Sequence, residues 1–355
     1  DGGYGESFLP IEAEHKTTRT ARRRPMKKQC VLILPYFGKF NNYFPLFLRS
    51  CAANPSYDFL IFTDSMESYQ YPSNVHVVPM TLEEFKANAK KKLGFDVCIP
   101  QPYKLCDFKP AYGFLFEDYI QDYEYWGHCD CDLVFGDLET LLTPILKEGY
   151  DKVFAVGHLT IYRNTVENNR RFMKPLHGRD IYKEAFTTSK IYVFDENVQC
   201  WMNPDRLNVH LLFREDGAKL YEKDLSFNVD TRSAKIKRTV YDSNMQSFHE
   251  GESYDLARYY WCDKGIVSVS WDKDSRTAVI RPYLYMHLQS RKMHDPVPSS
   301  SIVEIRPDRF VAVNSLPISR NELDGRWFNI FNLFWIDIYL KKIQKKISNL
   351  MKVKR

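Results

Sequence analysis

The chain has 355 residues, 44% hydrophobic and 15% aromatic, enough apolar content for one large α/β domain or two smaller ones. Its formal charge of +5 is misleading until it is located: residues 341–355 carry seven lysines or arginines and no acid, so the rest of the chain sums to −2. That balance argues against a nucleic-acid-binding surface, which needs a stripe of positive charge against phosphates. The eight scattered cysteines lack a framework spacing and read as buried thiols of a cytoplasmic protein.

Residues 1–25 are polar and end in Arg22-Arg23-Arg24-Pro25; they read as a leader or an expression remnant, disordered and outside the fold. The apolar run from Cys30 to Phe37 is too short for a signal peptide and predicts a strand, with a helix from about Asn41 to Cys51. Asp58–Thr63 predicts a second strand ending at Asp64, and Val75–Val78 a third ending at Pro79. Continuous apolar strands alternating with helices predict an α/β fold whose central sheet is mainly parallel and covered on both faces. Ligands of such sheets sit at the carboxyl ends of the strands. Pro35, Tyr36, Phe37 and Asp64 are thereby placed to meet a nucleotide base or ribose, with a turn or helix-cap role as the plainer alternative for Asp64.

Thr81 and Glu84 form a capping box for a helix that stops at Gly94. In the next segment Lys104, Asp107 and Lys109 lie at i, i+3 and i+5, so the first two share a helix face. They suit either a clasp on a nucleotide sugar or a structural ion pair.

Tyr125–Asp137 reads as a short buried strand running into a turn, with Asp130 and Asp132 on the face of Trp126 and His128 and with Cys129 and Cys131 on the other. Two carboxylates side by side repel, and the arrangement makes sense with Mg²⁺ or Mn²⁺ between them, hard ions that take oxygen ligands and share them with phosphates. Zinc is disfavoured because alternation sends the cysteines away from the histidine and the chain has no Cys-x-x-Cys pair.

Further on, Gly157-His158 falls at a strand end, where a glycine permits close approach of a sugar ring or a tight turn. Asp195 and Glu196 offer two carboxylates that could deprotonate or bind an acceptor hydroxyl. The strand Arg281–Met286 delivers His287, followed by Arg291 and Lys292.

The order of these features resembles GT-A-type glycosyltransferases: a strand ending Pro35-Tyr36-Phe37, a strand ending Phe62-Thr63-Asp64, the segment Cys106–Pro110, then an aromatic strand carrying Asp130-Cys131-Asp132. In detail it is similar to a bacterial family associated with capsule and other surface-polysaccharide synthesis. The likeness covers roughly residues 28–295 and includes Gly157–Asn164 and Met286–Met293. The resemblance implies a GT-A-like, Rossmann-like fold over 26–315, with a nucleotide-sugar half at 26–160 and an acceptor half at 161–315. It implies transfer of a hexose, galactose or glucose, from a UDP-sugar to a lipid-linked saccharide, with Asp130 near ribose and metal and Asp132 a direct ligand of Mn²⁺ or Mg²⁺. It also implies His287 completing the metal shell and Arg291 and Lys292 on the diphosphate, where charge builds as the glycosidic bond breaks.

Residues 316–355 predict a C-terminal amphipathic helix: Trp327–Leu340 is densely aromatic and apolar, and Leu340, Ile343, Ile347 and Leu350 recur at helical spacing beside lysine pairs. Too short and interrupted to span a bilayer, it fits a helix lying at the inner face of the cell membrane, or alternatively one packed on the domain or in a homo-oligomer. Two other classes stay open. A nucleotidyl or phosphoryl transferase would use the same carboxylates but normally shows a Gly-rich or basic loop, and none is evident; a non-catalytic membrane-attached scaffold would hold a structural cation there.

Overall fold

A computed structural model describes residues 28–199, 204–205, 207–251, 256–289, 291–324, 332–336, 338–340 and 343–344. The expected leader over 1–25 and much of the expected terminal helix lie outside those residues.

The continuous apolar runs become strands covered on both faces. β1 (Lys28–Tyr36) and β2 (Tyr57–Thr63) are buried almost throughout, Val31 and Ile33 facing one core and Cys30, Leu32 and Leu34 the other. With β3 (Val75–Pro79) and β4 (Tyr123–Cys129) they form a parallel array in the order β3-β2-β1-β4. α1 (Phe44–Ala52) follows β1, and α2 (Leu82–Leu93) follows β3 with the expected capping box at Thr81 and Glu84 and a left-handed Gly94 at its end. The segment Pro102–Ala111 is a 3₁₀ helix, in which residues three apart eclipse, so Lys104 and Asp107 meet.

Beyond residue 129 the pattern changes. β5 (Leu133–Phe135) leaves for a second sheet, while β6 (Lys152–Val153), β7 (Leu159–Arg163) and β8 (Leu220–Tyr221) complete the first as a seven-stranded sheet, β7 antiparallel to β4. The second sheet has the order β11-β10-β9-β15-β5, from β9 (Ser226–Val229), β10 (Arg238–Asp242), β11 (Ser247–Glu250) and β15 (Tyr285–His287). The third runs β14-β13-β12-β16-β17, from β12 (Ala257–Cys262), β13 (Gly265–Asp272), β14 (Thr277–Tyr283), β16 (Ile302–Ile305) and β17 (Phe310–Val313). Val134, Phe227 and Met286 of the second sheet pack on Trp261, Ile266 and Val303 of the third.

The expected mainly parallel central sheet describes the first sheet, four of whose six pairings are parallel, but not the sheets taken together. Among the described residues nine of the fourteen strand pairings are antiparallel. The connections between β10 and β11, β12 and β13, and β13 and β14 are too short for a parallel crossover, which needs a dozen or more residues. The half-boundary expected at 160 falls inside β7, so both halves share the first sheet. The strand expected over Arg281–Met286 instead breaks at Leu284, passing from the third sheet into the second. That crossing brings backbones together: a Cβ on Gly136 would lie 2.0 Å from the carbonyl oxygen of Tyr283.

Candidate active site

β4 ends at Cys129, so Asp130, Cys131 and Asp132 form the passage from the first sheet into β5 rather than a continuing strand. β15 pairs antiparallel with β5, setting His287 opposite Leu133, and the Leu288 N–H donates to the Asp132 carbonyl at 3.1 Å. Register alone thus delivers the histidine to the triplet. One ligand atom each from Asp130, Asp132 and His287 lie within 4.8 Å of one another.

These residues open on a cleft of about 1100 Å³ at the carboxyl ends of β1 and β4, lined also by Pro35, Tyr36, Phe37, Lys109, Asp195 and Glu196. Its electrostatics centre on Lys109. The ammonium lies 2.7 Å from Asp130 Oδ1 and 3.4 Å from Asp195 Oδ2, and donates to the Gly157 carbonyl at 2.9 Å. Burial pulls its pKa down, but the two carboxylates more than offset this and raise it well above the ordinary lysine value. Burial raises the carboxyl pKa of Asp130, Asp195 and Glu196, with Lys109 opposing in each case. For His287 burial acts downward, yet Asp132, Asp130 and Glu196 lift it above the usual imidazole range.

The loop carrying Asp195 and Glu196 is held from beneath. Asp107, fully buried, accepts N–H bonds from Tyr192 at 2.8 Å and Phe194 at 2.9 Å and pairs with buried Lys104 at 2.6 Å. Lys104 also donates to the Lys190 carbonyl. Neither lines the cleft, so the clasp on a nucleotide sugar is corrected to the structural ion pair: their hydrogen-bonding capacity is used inside the protein. Gly157 serves the same loop. A Cβ there would lie 2.2 Å from Asp195 Oδ2 and 2.6 Å from Glu196 Cγ, so the close approach it permits is that of the two acids, not of a sugar ring.

Three further expectations are corrected. Asp64 is exposed, accepts the Gly38 N–H at 2.7 Å and does not line the cleft, which is the turn role. His158 is buried behind His287, ring centroids 4.6 Å apart, with Nδ1 2.7 Å from the Tyr285 hydroxyl. Arg291 reaches the cleft wall, but its guanidinium donates to the carbonyls of Pro307 at 2.9 Å, Ser233 at 3.0 Å and Asp230 at 3.1 Å and stacks on Phe334 at 3.8 Å. A guanidinium so engaged is structural, whereas Lys292 is an exposed lining residue of the cleft. Asn41, Asn42, Tyr43, Tyr103, Tyr112 and Gln289 also line the cleft. The first three lie in the β1–α1 connection, within reach of the same strand end as Tyr36 and Phe37.

The triplet and His287 fit a divalent cation. Asp132 Oδ1 is buried without a hydrogen-bond partner, and His287 Nε2 stands 3.4 Å away, longer than a good hydrogen bond. Two carboxylates and one imidazole are a donor set for Mn²⁺ or Mg²⁺, the nitrogen favouring the former. Cys106, Asp107 and Asp195 also converge within 4.8 Å, but Asp107 already accepts from Tyr192, Phe194 and Lys104.

Fold and site together define a mixed α/β protein with an acid-rich cleft and a candidate metal triad at the end of its parallel strands. The chain belongs to a family of unknown function, DUF6625, whose profile matches residues 32–314, from within β1 to just past β17. No curated protein matches the chain.

Proposed function

We propose that the protein is a metal-dependent glycosyltransferase that moves a hexose from a nucleotide sugar, UDP-linked, to a lipid-linked saccharide acceptor. The observation that carries this reading is the convergence of Asp130, Asp132 and His287 in a cleft of about 1100 Å³ that also holds Asp195 and Glu196.

In this reading Tyr36 and Phe37 offer ring surface to the base. Asp130, paired with Lys109, and Asp132 and His287 would hold Mn²⁺ or Mg²⁺, which when bound neutralises charge on the leaving diphosphate. Lys292 adds a flexible cation at the same wall. Asp195 is anchored on Lys109, whereas Glu196 is the more open of the two and takes the acceptor hydroxyl, with a carboxyl raised by burial toward the range of a useful base.

The test is thermal stabilisation by UDP, UDP-glucose and UDP-galactose with and without Mn²⁺, on the intact chain and on Asp132→Ala. A ligand at a hundredfold excess over Kd adds about 2.7 kcal/mol, several degrees in melting temperature. The expected result is a shift that needs Mn²⁺ and disappears in the variant. No shift with any nucleotide would remove the ground for a transferase and leave a cation-holding scaffold.

A further inference from the structure

Two backbone carbonyls determine how His287 presents itself to Asp132. Gln289 Nε2 donates to the carbonyl of Val229 at 2.9 Å, an atom that can only accept. The same nitrogen lies 2.8 Å from the Asn228 side chain, so the atom it meets there is the carboxamide oxygen. On the other side Thr239 gives its hydroxyl proton to the backbone carbonyl of Asn228 at 3.2 Å, and therefore accepts the Asn228 amide at 2.8 Å. Both neighbours orient the carboxamide in the same sense.

Its oxygen then faces Nδ1 of His287 at 2.9 Å. An oxygen without a proton requires Nδ1–H, and the neutral ring must carry its lone pair on Nε2, the atom 3.4 Å from Asp132 Oδ1. Strand register builds this relay. Thr239 is opposite Asn228 in the β10–β9 pair, and Asn228 is opposite His287 in the β9–β15 pair, so the three side chains form one row across three strands. Asn228 and Thr239 are both buried, which keeps water from competing for the row.

We propose that Asn228, held by Thr239 and Gln289, is a positioning residue of the candidate metal site: it selects the Nδ1–H tautomer of His287 and so aims the Nε2 lone pair at the space shared with Asp132. The role toward a cation rests on the reading of Asp130, Asp132 and His287 as metal ligands; the tautomer does not.

The experiment reads both separately. Imidazole ¹⁵N–¹H correlation spectra of the metal-free full chain at pH 8.5 report which ring nitrogen carries the proton, and electron paramagnetic resonance of free Mn²⁺ during titration reports affinity. The wild type is expected to show Nδ1–H at His287. Asn228→Asp, which keeps an acceptor, should retain the tautomer and bind Mn²⁺ within about threefold of wild type, while Asn228→Leu should lose the fixed tautomer and bind about 10- to 100-fold more weakly. Thr239→Val, which at nearly constant volume removes the amide's acceptor together with the hydroxyl's bond to the Asn228 carbonyl, should move both readouts the same way by about threefold, and serves if Asn228→Leu does not fold. A wild type whose His287 Nδ1 carries no proton, or variants that bind Mn²⁺ as tightly as wild type, overturns the proposal. A wild type with the expected tautomer and no Mn²⁺ binding overturns the role toward a cation and, separately, the metal reading.

Discussion

Two buried lysines face opposite environments. Lys109 sits between Asp130 and Asp195, and the carboxylates hold its charge in place. Lys152 is fully buried and, among the described residues, in no ion pair: it donates to the Phe154 carbonyl and lies 3.0 Å from His210 Nδ1, whose Nε2 is 2.7 Å from Glu222. Burial pushes its pKa down from 10.5 to about 7. An unfolded chain then binds more protons than the native one between those two values, so this residue makes stability rise with pH across that window, and below the folded pKa its contribution is flat. The buried cysteines, with thiols pushed up by burial, act the other way at high pH, so the comparison must be with a variant. The stability of wild type relative to Lys152→Met is expected to grow by about 1 kcal/mol per pH unit between pH 7.5 and 9. Denaturant melts at several pH values check this, and a pH-independent difference would contradict a neutralised buried lysine.

At the scale of elements, the loop that carries Asp195 and Glu196 is a guest of the 3₁₀ helix beneath it. Asp107 takes the Tyr192 and Phe194 N–H groups, so Asp107→Asn removes a charge-assisted acceptor and leaves Lys104 buried without its carboxylate. Exchange protection over residues 190–197 is expected to fall by 10-fold or more, about 1.4 kcal/mol, while α1 keeps its protection. Hydrogen-exchange mass spectrometry reads both, and equal loss in the two segments would mean global destabilisation instead. This arrangement also explains what the sequence could and could not reveal. Runs such as Val31–Leu34 and Phe59–Phe62 announce two-sided burial by composition, and α2 announces its ends by Thr81, Glu84 and Gly94, all local signals. The convergence of Asp130, Asp132 and His287 is implied by a family likeness, while the passage between sheets that achieves it leaves no local mark in the sequence. Lys104 and Asp107 could not be sorted between ligand and scaffold because spacing sets their pairing while burial decides their role. Asn228 gave no signal, since its importance comes from pairing three strands whose partners lie far apart in the chain.

For the whole molecule, exposed aromatic and aliphatic side chains gather near the C-terminal residues, where the sequence also carries a run of basic residues without an acid. Among the described residues beyond 331, Phe334 is buried against Arg291, while Trp335 and Tyr339 stack at 5.6 Å and stand 53% and 54% exposed, beside exposed Ile336, Leu340 and Ile343. No described helix is long and apolar enough to cross a membrane. An exposed aromatic face followed by seven basic residues in 341–355 suits the surface of an anionic bilayer, aromatic rings at the headgroups and about 1 kcal/mol from each basic residue near the lipid. The same end is tied to the cleft. Asp308 accepts the Leu333 N–H at 2.7 Å, and its carbonyl takes the N–H of His294, a cleft-lining residue, at 2.8 Å. A bilayer under this foot would therefore lie beside the cleft rim, where the proposed function needs a lipid-linked acceptor to enter. Flotation with vesicles of phosphatidylglycerol or of phosphatidylcholine alone tests this. The intact chain is expected to float with the anionic vesicles and less so as salt rises, since screening weakens the basic contribution. Replacing both Trp335 and Tyr339 by alanine should weaken binding by about tenfold or more, the rings contributing buried apolar area. The variant should keep the Mn²⁺-dependent nucleotide shift, because neither ring lines the cleft. Equal flotation of both chains would place the lipid contact elsewhere, and no flotation of either would leave the exposed rings to a second copy of the chain, with a concentration-dependent sedimentation coefficient as its signature.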